Sequence, residues 1–518
     1  MSAHTMLLNA DVLVLILKHV GLDDLLRLAS TCRLLNYLVC SSKCFAVVPS
    51  LIVSSQVHEF GWSIFLRNNQ RHSLTLHSSR ARWPPLVQVR YNALADRAWS
   101  HASFIARPLS RPWPGNLQPA IALSVSTLLV AAGSTLYSYA VQDTCDASPS
   151  RIVFERSYAF IRARGAVQSD ITSLAFLPGQ DRTVFLGFED GSVEQVCLPP
   201  YQGPHTRQHI DITRASQSII QHHGTNIVKS ISCSSRALLS LSKGGSVSLT
   251  NLVSDSLCST SVNLSARSWT GHLCMSSSSP YAVFGTSSST PLSLYYIGAG
   301  GFSPIPSIAL QSSRNRPSAV YGVTCAPPSS PLGPSEQIIV SGWYDGTVHI
   351  YDLRVSHHSQ RPSGPSSTST STCPPALLPV LILKDPWSPE PIYTVACGGG
   401  NASIVAVGMA RHSVVAFWDV RQPSRGWSVH GPGNDPSPVY SIVLESSRLF
   451  GATQSRPFVY DFGPGVTKDT YPPIVATPLN PAVGRRGVTE DRLRLEANGI
   501  GYHVLKLSHR RAGILKID

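Results

Sequence analysis

The chain has 518 residues, 42% of them hydrophobic and 14% charged, with a formal net charge of +13. That length exceeds what one small core can fill, so more than one folding unit is expected. Ser, Thr, Gly and Pro are frequent, as short strands joined by turns require, and four methionines with an 8% aromatic share leave no surplus for a membrane domain.

Residues 7–40 carry a helical pattern. Val12, Leu13, Ile16, Leu17 and Val20 recur at three- and four-residue steps, which puts them on one helix face. The apolar run over residues 12–17 is far too short to span a bilayer, and it follows Asp11 with no basic segment before it, so it is a poor signal peptide. Gly21 can end that helix; Asp23 and Asp24 stand where an N-cap and a first-turn acid belong. Leu25, Leu28, Ala29 and Cys32 give the next stripe, continued by Leu35 and Leu38. A segment this small cannot supply its own core, so its apolar surface needs the rest of the chain or a partner. Residues 41–115 read as a connector, punctuated by Arg82-Trp83-Pro84-Pro85 and Arg111-Pro112-Trp113-Pro114.

From about residue 118 the pattern changes to short alternating strands at regular spacing, the signature of a repeating β architecture. Seven units are expected, over residues 120–141, 171–198, 227–252, 268–297, 320–353, 392–420 and 439–462. Each has an opening strand, a second strand of small and β-branched residues, a tight turn and a third strand. Asp190-Gly191, Gly244-Gly245 and Asp345-Gly346 supply the positive φ that such hairpins need. A ring of blades is the architecture that uses seven similar sheets and leaves few raw edges; a flat sandwich is the alternative. The Ser/Thr/Pro tract in 356–376, which includes His357-His358, cannot bury enough apolar area to order itself and reads as an inter-blade insertion. In the tail, the alternation over 502–507 suggests a ring-closing strand, and a strand near 86–90 could serve instead. The expected fold class is therefore multidomain α+β: a small helical domain over 1–50, a connector over 51–115, a seven-bladed β-propeller over 116–463 and a C-terminal tail over 464–518.

One position recurs just after the first apolar residue of the opening strands: Thr172, Lys229, Trp269, Tyr321, Tyr393 and Tyr440. In a propeller the opening strand lines the channel and its start faces a rim. Four aromatics and a cation there match the composition of binding hot spots, so these six are the candidate client-binding residues. The structural alternative is that they seal the channel or pack between blades, since Tyr and Trp are commonly half-buried.

Eleven cysteines, an odd number with no Cys-x-x-Cys pair, form neither a disulfide framework nor a zinc site and suit a reducing compartment. A cytoplasmic or nuclear location is expected, and the sequons at Asn263 and Asn401 then carry no meaning. Eight of the 42 basic residues are lysine, which leaves 42 − 8 = 34 arginines, and they are dispersed. Nucleic-acid binding calls for a clustered stripe, and only Arg485-Arg486 and Arg510-Arg511 come close, so a nucleic acid is not an expected partner. An acidic or phosphorylated client is the functional reading of the charge. No Gly-x-Ser-x-Gly elbow, Walker-type Gly-Lys pair or His-Glu-x-x-His occurs. His58-Glu59 lacks a second ligand, and His222-His223 and His357-His358 read as surface histidines. No catalytic residue, metal or cofactor is expected.

The residues quoted above resemble F-box/WD-repeat proteins, and within that group the dactylin-type members. Such proteins usually show a Leu-Pro opening, an Ile-Leu pair, a Leu-x-x-Leu helix and a Val-Cys-Arg-x-Trp stretch. Here these read Leu8-Asn9, Ile16-Leu17, Leu25-Leu26-Arg27-Leu28 and Thr31-Cys32-Arg33-Leu34-Leu35, with Asn9 and Leu35 in place of the Pro and the Trp. The repeat pattern is strongest at Tyr344-Asp345-Gly346 through Asp352-Leu353-Arg354, at Phe417-Trp418-Asp419 and at Tyr460-Asp461. The resemblance implies an F-box that binds the Skp adaptor of a cullin-RING ubiquitin ligase and a propeller that presents a client, the chemistry being done by other subunits. Leu8, Ile16, Leu17, Leu25, Leu26 and Leu28 are then the expected adaptor-binding residues; an ordinary helical-hairpin core is their other reading. Two rivals stand beside this one. One is an interaction scaffold whose F-box has decayed. The other is a propeller hydrolase, which would require carboxylates converging on the channel mouth.

Overall fold

The computed structural model describes residues 71, 73–144, 149–161, 169–199, 209–213, 219–234, 236–253, 259–312, 317–327, 330–333, 335–355, 374–433, 436–474 and 493–509. The expected adaptor-binding leucines and isoleucine, and the insertion through residue 373, lie outside the described residues.

Antiparallel meanders fill most of the described chain, and they share one plan. In the clearest, Ile338–Trp343 and Thr347–Asp352 pair in the register Ile339↔Tyr351 and Val340↔Ile350. Asp345 Oδ1 accepts hydrogen bonds from the Thr347 N–H at 3.2 Å and the Thr347 hydroxyl at 2.5 Å, which fixes the turn. Gly346 sits at φ +76, and a Cβ there would lie 2.8 Å from the Pro389 carbonyl oxygen of the next repeat, so two separate constraints demand glycine. The second strand of most repeats is buried along its whole length, as in Thr127–Ala132, Thr183–Phe188, Ile404–Met409 and Arg448–Thr453. A sheet stacked between two neighbours is buried on both faces, which is why these strands read as nearly continuous runs of small and apolar residues.

Seven opening strands among the described residues touch in turn, and the last touches the first. They are Ala120–Leu123, Ile171–Phe176, Val228–Cys233, Arg267–Cys274, Ser318–Cys325, Ile392–Gly398 and Val439–Leu444. This closed β-propeller ring rules out the flat sandwich. Each repeat carries a fourth, outer strand that the three-strand expectation lacked. The repeats opening at Arg267 and Ser318 are fused into one sheet by the pairs Ser287↔Ala319 and Ser288↔Ser318.

The ring is closed by neither segment expected from sequence. Residues 86–90 belong to the α-helix Pro85–Ser100. The closing strand is Ile105–Pro108, which pairs antiparallel with Pro457–Asp461 in the register Ile105↔Asp461 to Pro108↔Phe458. Among the described residues of the tail only Lys506–Ser508 is a strand, and it adds to the outer edge of Trp427–His430 in the preceding repeat. Two further outer edges are covered by parallel additions, His209–Thr213 beside Arg151–Ile161 and Ala376–Leu377 beside Ile308–Leu310. Covering edges in this way blocks strand addition by other chains.

The helices His77–Arg82 and Pro85–Ser100 lie within the stretch expected as a connector, and they dock where two opening strands end. Trp99 stacks on Phe462 at 3.5 Å and donates its Nε1–H to the Ser446 carbonyl at 2.9 Å. Tyr91 Oη meets Ser447 Oγ at 3.0 Å. Beneath them Arg448 is fully buried, its Nε 3.1 Å from Asp461 Oδ2, while its Nη atoms bond Thr75 Oγ1, Ser150 Oγ and the Ser150 carbonyl. Thr75 also bonds the Glu445 carboxylate through both its N–H and its hydroxyl. Burial alone would draw the Arg448 pKa down, but Tyr471, Asp461, Tyr91 and Glu445 more than reverse this, so the guanidinium stays charged.

Replacing Arg448 by Met strands Asp461 in a site where its carboxylate is 1% exposed. A loss of about 3–5 kcal/mol is expected, read from urea unfolding curves; a loss below about 1 kcal/mol would mean the pair does not hold this junction.

The tail strand has its own anchor. The Ser428 hydroxyl bonds Asp385 Oδ2, and His509 Nε2 lies 2.6 Å from Ser428 Oγ and 3.5 Å from Asp385 Oδ1. Burial pushes the Asp385 carboxyl up, yet hydrogen bonds from His509, Ser428 and the Trp387 N–H outweigh it and hold the group below its ordinary range. A depressed carboxyl stabilises above its unfolded pKa of about 4, and that contribution is lost as pH falls through the folded value. Protection of the Lys506–Ser508 amides against hydrogen exchange should therefore be full at neutral pH and fall on acidification below about pH 4. Undiminished protection in an Asp385→Asn variant would disprove the linkage.

Candidate functional site

All six candidate rim residues share a backbone feature. The ladder between first and second strands skips one residue in six repeats, between Ile171 and Ser173, Val228 and Ser230, Ser268 and Thr270, Val320 and Gly322, Ile392 and Thr394, and Val439 and Ser441. The skipped residues are Thr172, Lys229, Trp269, Tyr321, Tyr393 and Tyr440, each half-buried. A β-bulge leaves its residue out of the ladder and re-aims its side chain. Only Ala120–Leu123 pairs without a shift among the seven opening strands.

The bulges bring four aromatic rings together across four consecutive repeats. Trp269 and Tyr321 meet edge to face at 4.8 Å, Tyr321 and Tyr393 at 5.4 Å, and Tyr393 stacks on Tyr440 at 5.6 Å with 22° between planes. Tyr344, 56% exposed, extends the arc outward from Tyr321 at 6.2 Å. At the other end Trp269 donates to Ser287 Oγ at 2.8 Å, which fixes its plane, and carries the Arg267 guanidinium 4.2 Å and the Lys229 ammonium 5.9 Å from its ring. Burial lowers the Lys229 pKa, as do Lys243 and Arg267, with Glu189 opposing them. Burial raises the Tyr321 and Tyr440 hydroxyls, helped in both by Tyr393. The surface is thus an aromatic arc with a cationic end, a composition that binding hot spots share.

Thr172 is placed differently. Its hydroxyl bonds the Gly187 carbonyl at 3.1 Å and the Val228 carbonyl at 2.5 Å, which ties two repeats together. The sequence reading missed Arg267 and Tyr344. Arg267 precedes Trp269 by two residues, the spacing that returns a strand residue to the same face. Tyr344 precedes Asp345-Gly346, and a second-to-third-strand turn lies at the same end of the repeat as the start of the opening strand. The helices dock at the other end, on the Glu445–Ser447 turn and at Gly399 and Gly400.

One histidine expectation is corrected. His223 is buried, with Nε2 2.7 Å from Ser240 Oγ and Nδ1 3.3 Å from Ser246 Oγ, and burial lowers its pKa to about 4. It ties its own repeat to the next one. Among the described residues no group of three or more His, Cys, Asp or Glu could hold a metal ion, and no helix is long and apolar enough to cross a membrane.

Comparison with known families matches residues 6–46 to the F-box domain. The chain thus couples an N-terminal F-box domain to a β-propeller. Comparison with curated proteins gives no match. Among solved structures, the chain is similar to the crystal structure of the RRP9 WD40 repeats at 13% identity, covering 69% of this chain and 97% of that one with a TM-score of 0.43. The structure of U3-55K aligns at 13% identity over 69% and 98% with a TM-score of 0.43, and the computationally designed Ika8 protein at 16% identity over 68% and 99% with a TM-score of 0.41.

Proposed function

We propose that this protein is the substrate-recognition subunit of an SCF-type cullin-RING ubiquitin ligase, of the dactylin type within the F-box/WD-repeat proteins. The F-box docks the Skp adaptor through Leu8, Ile16, Leu17, Leu25, Leu26 and Leu28. A seven-bladed propeller holds the client at Trp269, Tyr321, Tyr393 and Tyr440, with Lys229 and Arg267 at the cationic end. Thr172 supports that rim from beneath. The protein contributes no catalysis of its own, needs no cofactor, and works in the cytoplasm or nucleus. The observation that carries this reading is the F-box match on residues 6–46, followed by helices clamped to the end of the propeller opposite the aromatic arc. A receptor needs its adaptor and its client on different faces, and helices docked opposite the aromatic arc support that reading.

The test uses the full chain and purified Skp adaptor. Wild type should be retained, and Leu25→Arg should bind at least about tenfold more weakly, since burying one leucine is worth about 1.5–3 kcal/mol in transfer terms. Adaptor binding absent from wild type would favour the scaffold with a decayed F-box. Tyr393→Ala should keep the wild-type melting curve and adaptor binding while client capture weakens by about 2 kcal/mol. Unfolding of that variant would return the arc to a packing role.

A further inference from the structure

The opening strands Arg267–Cys274 and Ser318–Cys325 are neighbours in the ring, and both end in cysteine. Their ends lie at the mouth opposite the aromatic arc. Cys325 Sγ is 3.0 Å from His272 Nε2 and 3.6 Å from Tyr281 Oη, and Cys274 is the ladder partner of Tyr281. Tyr281 spends its hydroxyl hydrogen on the Glu336 carbonyl at 2.8 Å, which fixes the phenol as a wall of the site. Cys325 is partly exposed, whereas Cys274 is 6% exposed and lies against Ser276 Oγ at 3.7 Å. A thiol and an imidazole are therefore in contact beside a second thiol, and the proposed ubiquitin-ligase role uses none of them.

We propose that Cys325 is an oxidant-sensitive thiol, with His272 as the acceptor of its proton and Cys274 as the partner that resolves the oxidised sulfur into a disulfide. The co-reactant is a hydroperoxide. The Cys325 S–H proton passes to His272 Nε2, and the thiolate attacks the near oxygen of the hydroperoxide. The O–O bond breaks, and the leaving hydroxide or alkoxide takes the proton from His272. Cys325 is left as a sulfenic acid, oxidised by two electrons, and the peroxide is reduced by two. The Cys274 sulfur then attacks Cys325 Sγ, the S–O bond breaks, and the hydroxyl leaves as water with the Cys274 proton.

The two thiols are held unlike each other. The hydrogen bond from Cys274 holds the Cys325 thiol below its ordinary range, although burial opposes it, while that same bond and burial push Cys274 up. Burial also draws His272 down, so the imidazole rests neutral, with Nε2 3.0 Å from the Cys325 sulfur. One sulfur is thus poised as nucleophile and the other stays protonated until a sulfenic acid appears.

The test treats the purified full chain with one equivalent of hydrogen peroxide, caps free thiols and maps peptides by mass spectrometry. The expected product is a Cys274–Cys325 cross-link that forms ahead of oxidation at Cys197, the exposed thiol that serves as internal reference. In Cys274→Ser, dimedone should trap Cys325 as its sulfenic acid. In His272→Gln, oxidation at Cys325 should slow at least about tenfold while Cys197 reacts as before. If wild-type Cys197 oxidises as fast as Cys325, or no cross-link forms and dimedone passes Cys325 by, the proposal is overturned. The wild-type readout decides the matter even where a variant fails to fold.

Discussion

The structure depends on how its ring is closed. Asp461 lies at the junction, opposite Ile105 of the closing strand on one side and opposite Arg448 of its own repeat on the other. Arg448 reaches from there to Thr75, ahead of the propeller, and to Ser150 in the first repeat, while Tyr471 donates its hydroxyl to Asp461. Four stretches of chain far apart in sequence thus meet on one buried ion pair. Such a pair adds little net stability over a hydrophobic replacement, because desolvation offsets most of the attraction. What it imposes is register within its own repeat: a slip of one residue between Arg448–Thr453 and Pro457–Asp461 would leave Asp461 and Arg448 with buried, unpaired charge.

That closure also decides which way the molecule faces. The closing strand arrives directly from the helix Pro85–Ser100, so the helical segment is delivered to the side of the ring where the last repeats have their first turns. Trp99, Tyr91 and Thr75 then fasten it to Ser446, Ser447 and Glu445. The bulges stand at the opposite ends of the same strands. Separation of the two surfaces follows from strand polarity alone, without any special device.

Much of this was legible in the chain. Asp-Gly turns and second strands of small residues gave the repeats, because those features answer to local φ and to burial on both faces. The rim position was legible because the bulge recurs, so the spacing from the first apolar residue stays constant from Thr172 to Tyr440. The closing strand was not legible. Ile105–Pro108 is four residues long and ends in Arg-Pro, with no alternation to mark it, and its pairing is chosen by a partner some 350 residues away in sequence. The better-patterned tail around 502–507 misled for the same reason: alternation reports a half-buried strand, and an outer edge strand meets that description as well as a closing one does. His223 looked like a surface residue because its neighbour His222 is one, and the Ser240 hydroxyl that draws it inward comes from the next repeat.

The rim is uneven, and the unevenness has content. Four consecutive repeats present aromatic rings, the next presents Lys229, and the one after presents Thr172 with its hydroxyl already used between repeats. The remaining opening strand has no bulge. A ligand that crosses this mouth therefore meets stacked phenols, then an indole bearing a guanidinium, and then a surface with little to grip. Rings that support one another across repeats lose little freedom on binding, so they can hold an apolar segment at low entropic cost. In the proposed role, the cations at one end would give that segment a direction. Under the proposed function, one repeated backbone irregularity would then set both where the client lies and which way round it runs.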